Sequence, residues 1–206
     1  MLQFNNIIYN FHESWFPTLT NMSSNEQNTL NNIETLLKDS TPSYLEAFRI
    51  YNLKLQDIVG VIINWKPSYN SNGLLVGTNS NELSPELQAI YRNLNYHFNA
   101  PTINNDLTLE YLAEQNILLL NINHTLNIEL STFYQTFTKF ILNSIYREVR
   151  LTPVLLLGEK PFLFCNKSLL NTIAMPDFSD EEFETATGFI RFVQTIEYIF
   201  NIKINL

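Results

Sequence analysis

Four short apolar runs without polar alternation punctuate the chain: Ile58–Ile63, Ile117–Leu120, Val154–Leu157 and a weaker one at Thr172–Met175. Unbroken runs of this length suit strands buried on both faces, which is how parallel sheets read in sequence. Between them the period changes. Phe133, Phe137, Phe140, Ile141, Ile145 and Val149 recur at three- and four-residue spacing, which predicts a helix with one apolar stripe and Ser131 as its N-cap. Ser179-Asp-Glu-Glu182 reads as a capping box, and Phe189, Phe192, Val193, Ile196 and Phe200 continue behind it as a closing helix. Loops are expected at 20–25, 67–84 and 99–106, which are rich in Asn, Ser or Pro. Strands that alternate with helices imply right-handed crossovers. The expected fold is therefore α/β: one domain over 1–206 with a central four-stranded parallel sheet flanked by helices, and any site at the carboxyl ends of the strands.

Composition narrows the functional classes. Of the 206 residues 45% are hydrophobic and 16% charged, enough apolar material for a core and too little charge for a disordered chain. The formal net charge of −8 argues against a protein that lives on phosphate backbone, where a basic face is the usual signature. A single cysteine, Cys165, excludes an internal disulfide and reads as core filler in a reducing compartment. No basic leader with an apolar block opens the chain, and no apolar run approaches the ~20 residues of a membrane span, so a soluble intracellular protein is expected. His12, His97 and His124 show no metal-ligand spacing; they read as surface or half-buried side chains, and no metal or cofactor is expected. His124 alone lies near the carboxyl end of an expected strand.

A set of motifs then carries a resemblance. The first strand runs into Asn64-Trp-Lys-Pro-Ser-Tyr69, followed by Gly73-Leu-Leu-Val76. Next come Pro85-Glu-Leu-Gln-Ala-Ile-Tyr-Arg-Asn-Leu94 and Gln115-Asn-Ile-Leu-Leu-Leu-Asn121, then Leu156-Leu-Gly158 and Phe192-Val-Gln-Thr-Ile-Glu-Tyr-Ile199. In order and spacing these resemble the uracil-DNA glycosylase motifs: a Pro-Tyr loop, P-S-L-x-x-I-Y-x-E-L, Q-G-V-L-L-L-N, L-W-G and F-S-x-T-N-x-Y-L. Ser14-Trp15 and the approach from Phe48 to Ile58 resemble the family's entry to its first strand. The opening Ile8-Tyr-Asn-Phe-His-Glu-Ser-Trp15 resembles the poxviral branch.

The resemblance implies a fold for flipping a uridine out of the duplex and cutting its glycosidic bond. It also implies a machinery that this chain lacks. Lys66 stands where the family has its water-orienting Asp, and a protonated amine can neither accept a water proton nor steady an oxocarbenium-like sugar. Met175 stands where the family has the His that holds the uracil anion, and a thioether donates no hydrogen bond. Val76 replaces the stacking Phe, while Asn121 persists from the base-reading set. With Tyr69 and Trp65, these two residues mark the former base pocket. Three serines that grip phosphates in the family correspond to Glu86, Glu159 and Asp177, which would repel an anion. Phe178 stands near the family's wedge leucine, although an apolar staple explains it as well.

The expected function is a catalytically inactive interaction or structural subunit in a viral or phage replication or transcription assembly. It would bind a protein partner with a basic face, and DNA binding in the family mode is not expected. One alternative is a DNA-tethering processivity component. Another is an active glycosylase with an altered site using Asn64, Asn70 or Lys66.

Overall fold

The computed structural model describes residues 11–36, 40–98, 106–165 and 171–206; residues 8–10 of the opening motif and all but the end of the 99–106 loop fall outside them. Four short helices come first: α1 (Phe16–Thr20), α2 (Ser24–Asn31), α3 (Ile33–Leu36) and α4 (Tyr44–Phe48). Two of them start from capping boxes. Ser23 and Ser43 each accept a backbone N–H three residues on, and Glu26 and Glu46 each return a carboxylate to the cap's own N–H. The chain then alternates through β1 (Gly60–Asn64), α5 (Pro85–Phe98), α6 (Glu110–Ala113), β2 (Ile117–Asn121), α7 (Ser131–Glu148), β3 (Val154–Leu157), α8 (Glu159–Cys165), β4 (Thr172–Met175) and α9 (Gly188–Phe200).

All four strands are parallel, in the order β2-β1-β3-β4. Every residue of β1, β2 and β3 is buried, as runs without alternation require, whereas β4 buries Ile173 and Met175 and exposes Thr172 and Ala174. β4 is covered on one face only, unlike the other edge strand β2, and its lone alternation follows from that. The order reverses between β1 and β3, so the crevice of such a sheet opens beyond the carboxyl ends of those two strands. α9 packs so closely on the start of β1 that a Cβ at Gly60 would lie 2.7 Å from the Phe192 ring and 2.6 Å from Ile196 Cδ1. Trp15 is fully buried, and its indole N–H donates to the Leu53 carbonyl at 2.8 Å.

Two helix starts differ from the sequence reading. Ser131 is the first residue of α7 and not its cap: the chain enters through a 3₁₀ turn at Ile128–Leu130, capped by Asn127, whose side chain accepts the Glu129 N–H. The Ser131 hydroxyl is instead committed to the Asn123 side chain at 2.8 Å. The pattern at 179–182 caps no helix either. It leads into a 3₁₀ turn at Glu181–Phe183 without a side-chain cap, and α9 begins only at Gly188. Gly188 has a packing reason, since a Cβ there would collide with the Met175 side chain. Among the described residues, no helix is long and apolar enough to cross a membrane.

Candidate functional site

The carboxyl ends of the strands converge as the register demands, with Asn64 opposite Asn121 and Leu157 opposite Met175. Both asparagines are buried, so their amides must find partners inside the protein. Asn121 Nδ2 donates to the Leu75 carbonyl at 2.8 Å, and its Oδ1 accepts from Asn64 Nδ2 at 3.2 Å. Asn64 Nδ2 also donates to the Lys66 carbonyl at 2.6 Å. Pairing continues beyond the strands, because Ile122 and Asn123 donate their N–H groups to the carbonyls of Asn64 and Trp65. Asn123 then ties Trp65 to α7, with Nδ2 on the Trp65 carbonyl and Oδ1 on Ser131.

The 67–84 loop folds over this edge. A bridge joins Ser71 to Thr78, Asn72 Oδ1 accepts the Leu74 N–H, and Asn72 Nδ2 donates to the Thr108 carbonyl. Gly73 makes the turn possible. It sits at φ +86°, and a Cβ there would run into the Glu46 carbonyl. The result seals Val76, which has no exposed surface, and leaves Asn121 only 4% exposed.

The sequence-named residues therefore divide. Asn121 and Val76 come together and are sealed. Trp65 is half-buried at the β1 side of the crevice, with Lys160 Nζ 5.9 Å from its ring centroid. Tyr69 is turned to solvent at 78% exposure. Lys66 is exposed, so the desolvation that a nucleophilic amine requires is lacking. Met175 is buried, with its sulfur against Gly188. Glu159 and Asp177 are both exposed, and the Asp177 carboxylate lies where a Cβ on Gly158, the residue before Glu159, would be. Glu86 lies in the first turn of α5 and lines a surface cavity below the 67–84 loop. Phe178 is half-buried, its ring centroid 5.0 Å from that of Phe183 in the 3₁₀ turn that precedes α9.

His124 corrects the expectation of surface or half-buried histidines. It is 3% exposed, with its ring centroid 5.2 Å from those of both Phe48 and Tyr134, and Nε2 is 2.6 Å from the Tyr51 hydroxyl. Burial drives its pKa down to about 3, which the Ile122 carbonyl offsets only in part. Burial also raises the Tyr51 hydroxyl well above its ordinary value, so this is a neutral pair inside an aromatic cluster. Burial pushes the Cys165 thiol up to about 12, as suits core filler. Among the described residues no group of three or more His, Cys, Asp or Glu could hold a metal ion.

No protein-family model matches the sequence, and no curated protein does. Solved structures do match. The crystal structure of mimivirus uracil-DNA glycosylase superposes with a TM-score of 0.81 at 14% identity, covering 97% of this chain and 88% of that one. A variant of mimivirus UNG in complex with UGI gives a TM-score of 0.78 at 15% identity, covering 96% and 88%. The UNG from Nitratifractor salsuginis gives 0.64 at 13% identity, covering 91% and 92%. The chain has the uracil-DNA glycosylase fold.

Proposed function

We propose that this chain uses the uracil-DNA glycosylase fold as a non-enzymatic interaction subunit that binds a basic protein partner. The observation that carries the reading is the state of Asn121. The one side chain retained from the base-reading set donates to Leu75 and accepts from Asn64 within a sealed edge, so its amide faces neighbours and not a vacant pocket. Lys66 and Met175 add to it. One is an exposed cation where the family has an acid, and the other is a thioether packed on Gly188 where the family has a donor. General-base and anion-stabilising contributions are each worth about 10² or more, so losing both costs on the order of several powers of ten in rate. The exposed carboxylates of Glu159 and Asp177, at positions where the family has phosphate-gripping serines, disfavour phosphate and favour a cationic surface. The opening of the sequence, with its resemblance to the poxviral branch, extends the proposal to a viral replication or transcription assembly.

A second reading, a DNA-tethering component, draws on a different observation. Lys160 over Trp65 and Lys139 over Phe164, at 5.9 and 5.3 Å, place cations beside aromatic rings on α7, α8 and the β1 loop. One experiment separates the readings: micromolar protein with single-stranded uracil-containing DNA at low salt, scored for abasic sites and for retained DNA. Neither product is expected. Abasic sites well above background would refute the inactive reading, and retention without excision would replace the protein-partner reading with the tethering one.

A further inference from the structure

The 67–84 loop and the start of α5 enclose a cavity of about 320 Å³, at the small end of the ~300–1,000 Å³ range of ligand sites. Its walls include four hydroxyl side chains, Ser68, Thr78, Ser80 and Ser84, together with Glu82 and Glu86. No lysine, arginine or histidine is among its described lining residues.

The direction of the hydroxyl protons decides what such a site can hold. Ser80 donates to the Glu82 carbonyl at 2.8 Å, and Ser84 donates to the Val76 carbonyl at 3.4 Å. The Thr78 proton goes to the Asn70 carbonyl at 3.1 Å or to the Ser80 hydroxyl at 3.0 Å. These protons are committed to protein acceptors, and the oxygens also accept, Thr78 from the Ser80 N–H, Ser80 from the Glu82 N–H and Ser84 from the Leu87 N–H, so each hydroxyl has at most one lone pair left for a guest and no proton to donate. The carboxylates of Glu82 and Glu86 offer only lone pairs. Ser68 supplies an independent sign of an absent partner: it lines the cavity, is 7% exposed, and its Oγ has no hydrogen-bond partner. The Tyr69 ring, 78% exposed, stands at the same cavity as a face on which a planar cation can stack. The α5 N-terminus opposes a cation with a partial charge of about +0.5, against two full negative charges on the carboxylates.

We infer that this cavity receives an arginine side chain from the partner protein. A guanidinium presents five donors and no acceptor, which complements a wall of acceptors, and its plane matches the Tyr69 face. An anion would find one uncommitted hydroxyl and two repelling charges. The inference rests on the protein-partner reading above and assigns to it the chemistry of the group recognised.

The test uses the full chain and a fluorescein-labelled hexa-arginine peptide, with hexa-citrulline as its neutral counterpart, measured by anisotropy at about 0.15 M salt. Hexa-arginine is expected to bind and hexa-citrulline is not. Glu82→Gln/Glu86→Gln should weaken binding roughly tenfold, whereas Glu13→Gln/Glu148→Gln, an equal change of charge at exposed positions, should weaken it by less than about twofold. Tyr69→Ala should weaken it several-fold without touching the core, and so keeps the test decisive if the glutamate pair disturbs the loop. Equal losses in the two glutamine pairs, no loss in either cavity variant, or equal binding of citrulline would overturn the site. The same proteins are run in the uracil-excision assay. Excision by the unaltered chain overturns the proposed function whatever the peptide does, and absent arginine binding without excision overturns only the cavity assignment.

Discussion

His124 makes a quantitative prediction about acid stability. In the folded protein it is neutral, with a pKa lowered to about 3 by burial, whereas in the unfolded chain it titrates near the ordinary ~6.5. A group whose folded pKa lies below its unfolded value contributes its full stability above the unfolded pKa and loses it as pH falls through the interval, here from about 6.5 toward 3. At pH 5 the folded imidazole still excludes a proton that the unfolded one has bound. The loss then depends only on the unfolded value: 1.5 pH units below 6.5 give about 2 kcal/mol, against under ~0.1 kcal/mol at pH 7.5. Its ring and hydrogen-bond neighbours Tyr51, Phe48, Tyr134 and Phe137 carry no carboxylate that would confuse the measurement. Urea unfolding followed by circular dichroism at pH 7.5 and 5.0, for the unaltered chain and His124→Gln, isolates the effect as a double difference. The variant should lose about 2 kcal/mol less between the two pH values. An equal loss in both proteins would refute the buried neutral histidine. If the variant fails to fold, the ring-proton NMR signal of His124 serves instead, and a titration midpoint above pH 5 would refute it equally.

Gly73→Ala should be among the more damaging single substitutions. A side chain at φ +86° costs about 1–2 kcal/mol, and the collision with the Glu46 carbonyl adds about 1–3, so urea midpoints unchanged from the unaltered chain would mean that the 67–84 loop is held differently. Cys165 should resist a disulfide reagent such as DTNB at pH 8 while the protein is folded and react fully in urea, because burial keeps the thiol protonated; rapid stoichiometric labelling of the native protein would count against that burial.

The strands were legible because β1, β2 and β3 are buried on both faces, and an apolar run with no alternation has few other uses. β4 gave a weaker signal for a physical reason: with one face exposed it needs apolar residues only at Ile173 and Met175. Helix starts were less legible. Ser131 and the 179–182 pattern have the right residue types, yet a 3₁₀ turn precedes each helix and assigns the capping elsewhere or to nothing. The genuine boxes at Ser23 and Ser43 open helices too short to show an apolar stripe. Sequence could name Asn121 but not its partner Leu75, 46 positions away, nor join His124 to Tyr51 across 73 positions. The hydroxyl-lined cavity went unseen because Ser and Thr are ordinary loop residues, and only the direction of their protons sets these apart.

The bond between Asn64 and Asn121 also sets terms for any molecule that tries to enter the sealed edge. An incoming amide or base would have to displace the Leu75 carbonyl from one end of the Asn121 side chain and the Asn64 amide from the other. Each bond formed would replace a bond broken, so the exchange yields almost no net free energy, while the evicted groups would need new partners of their own. Affinity would then have to come from contact with the flat faces of the guest, and Val76 offers little area for that. Such a crevice selects by shape more than by donor and acceptor pattern, and distinguishes poorly among the few guests it could admit.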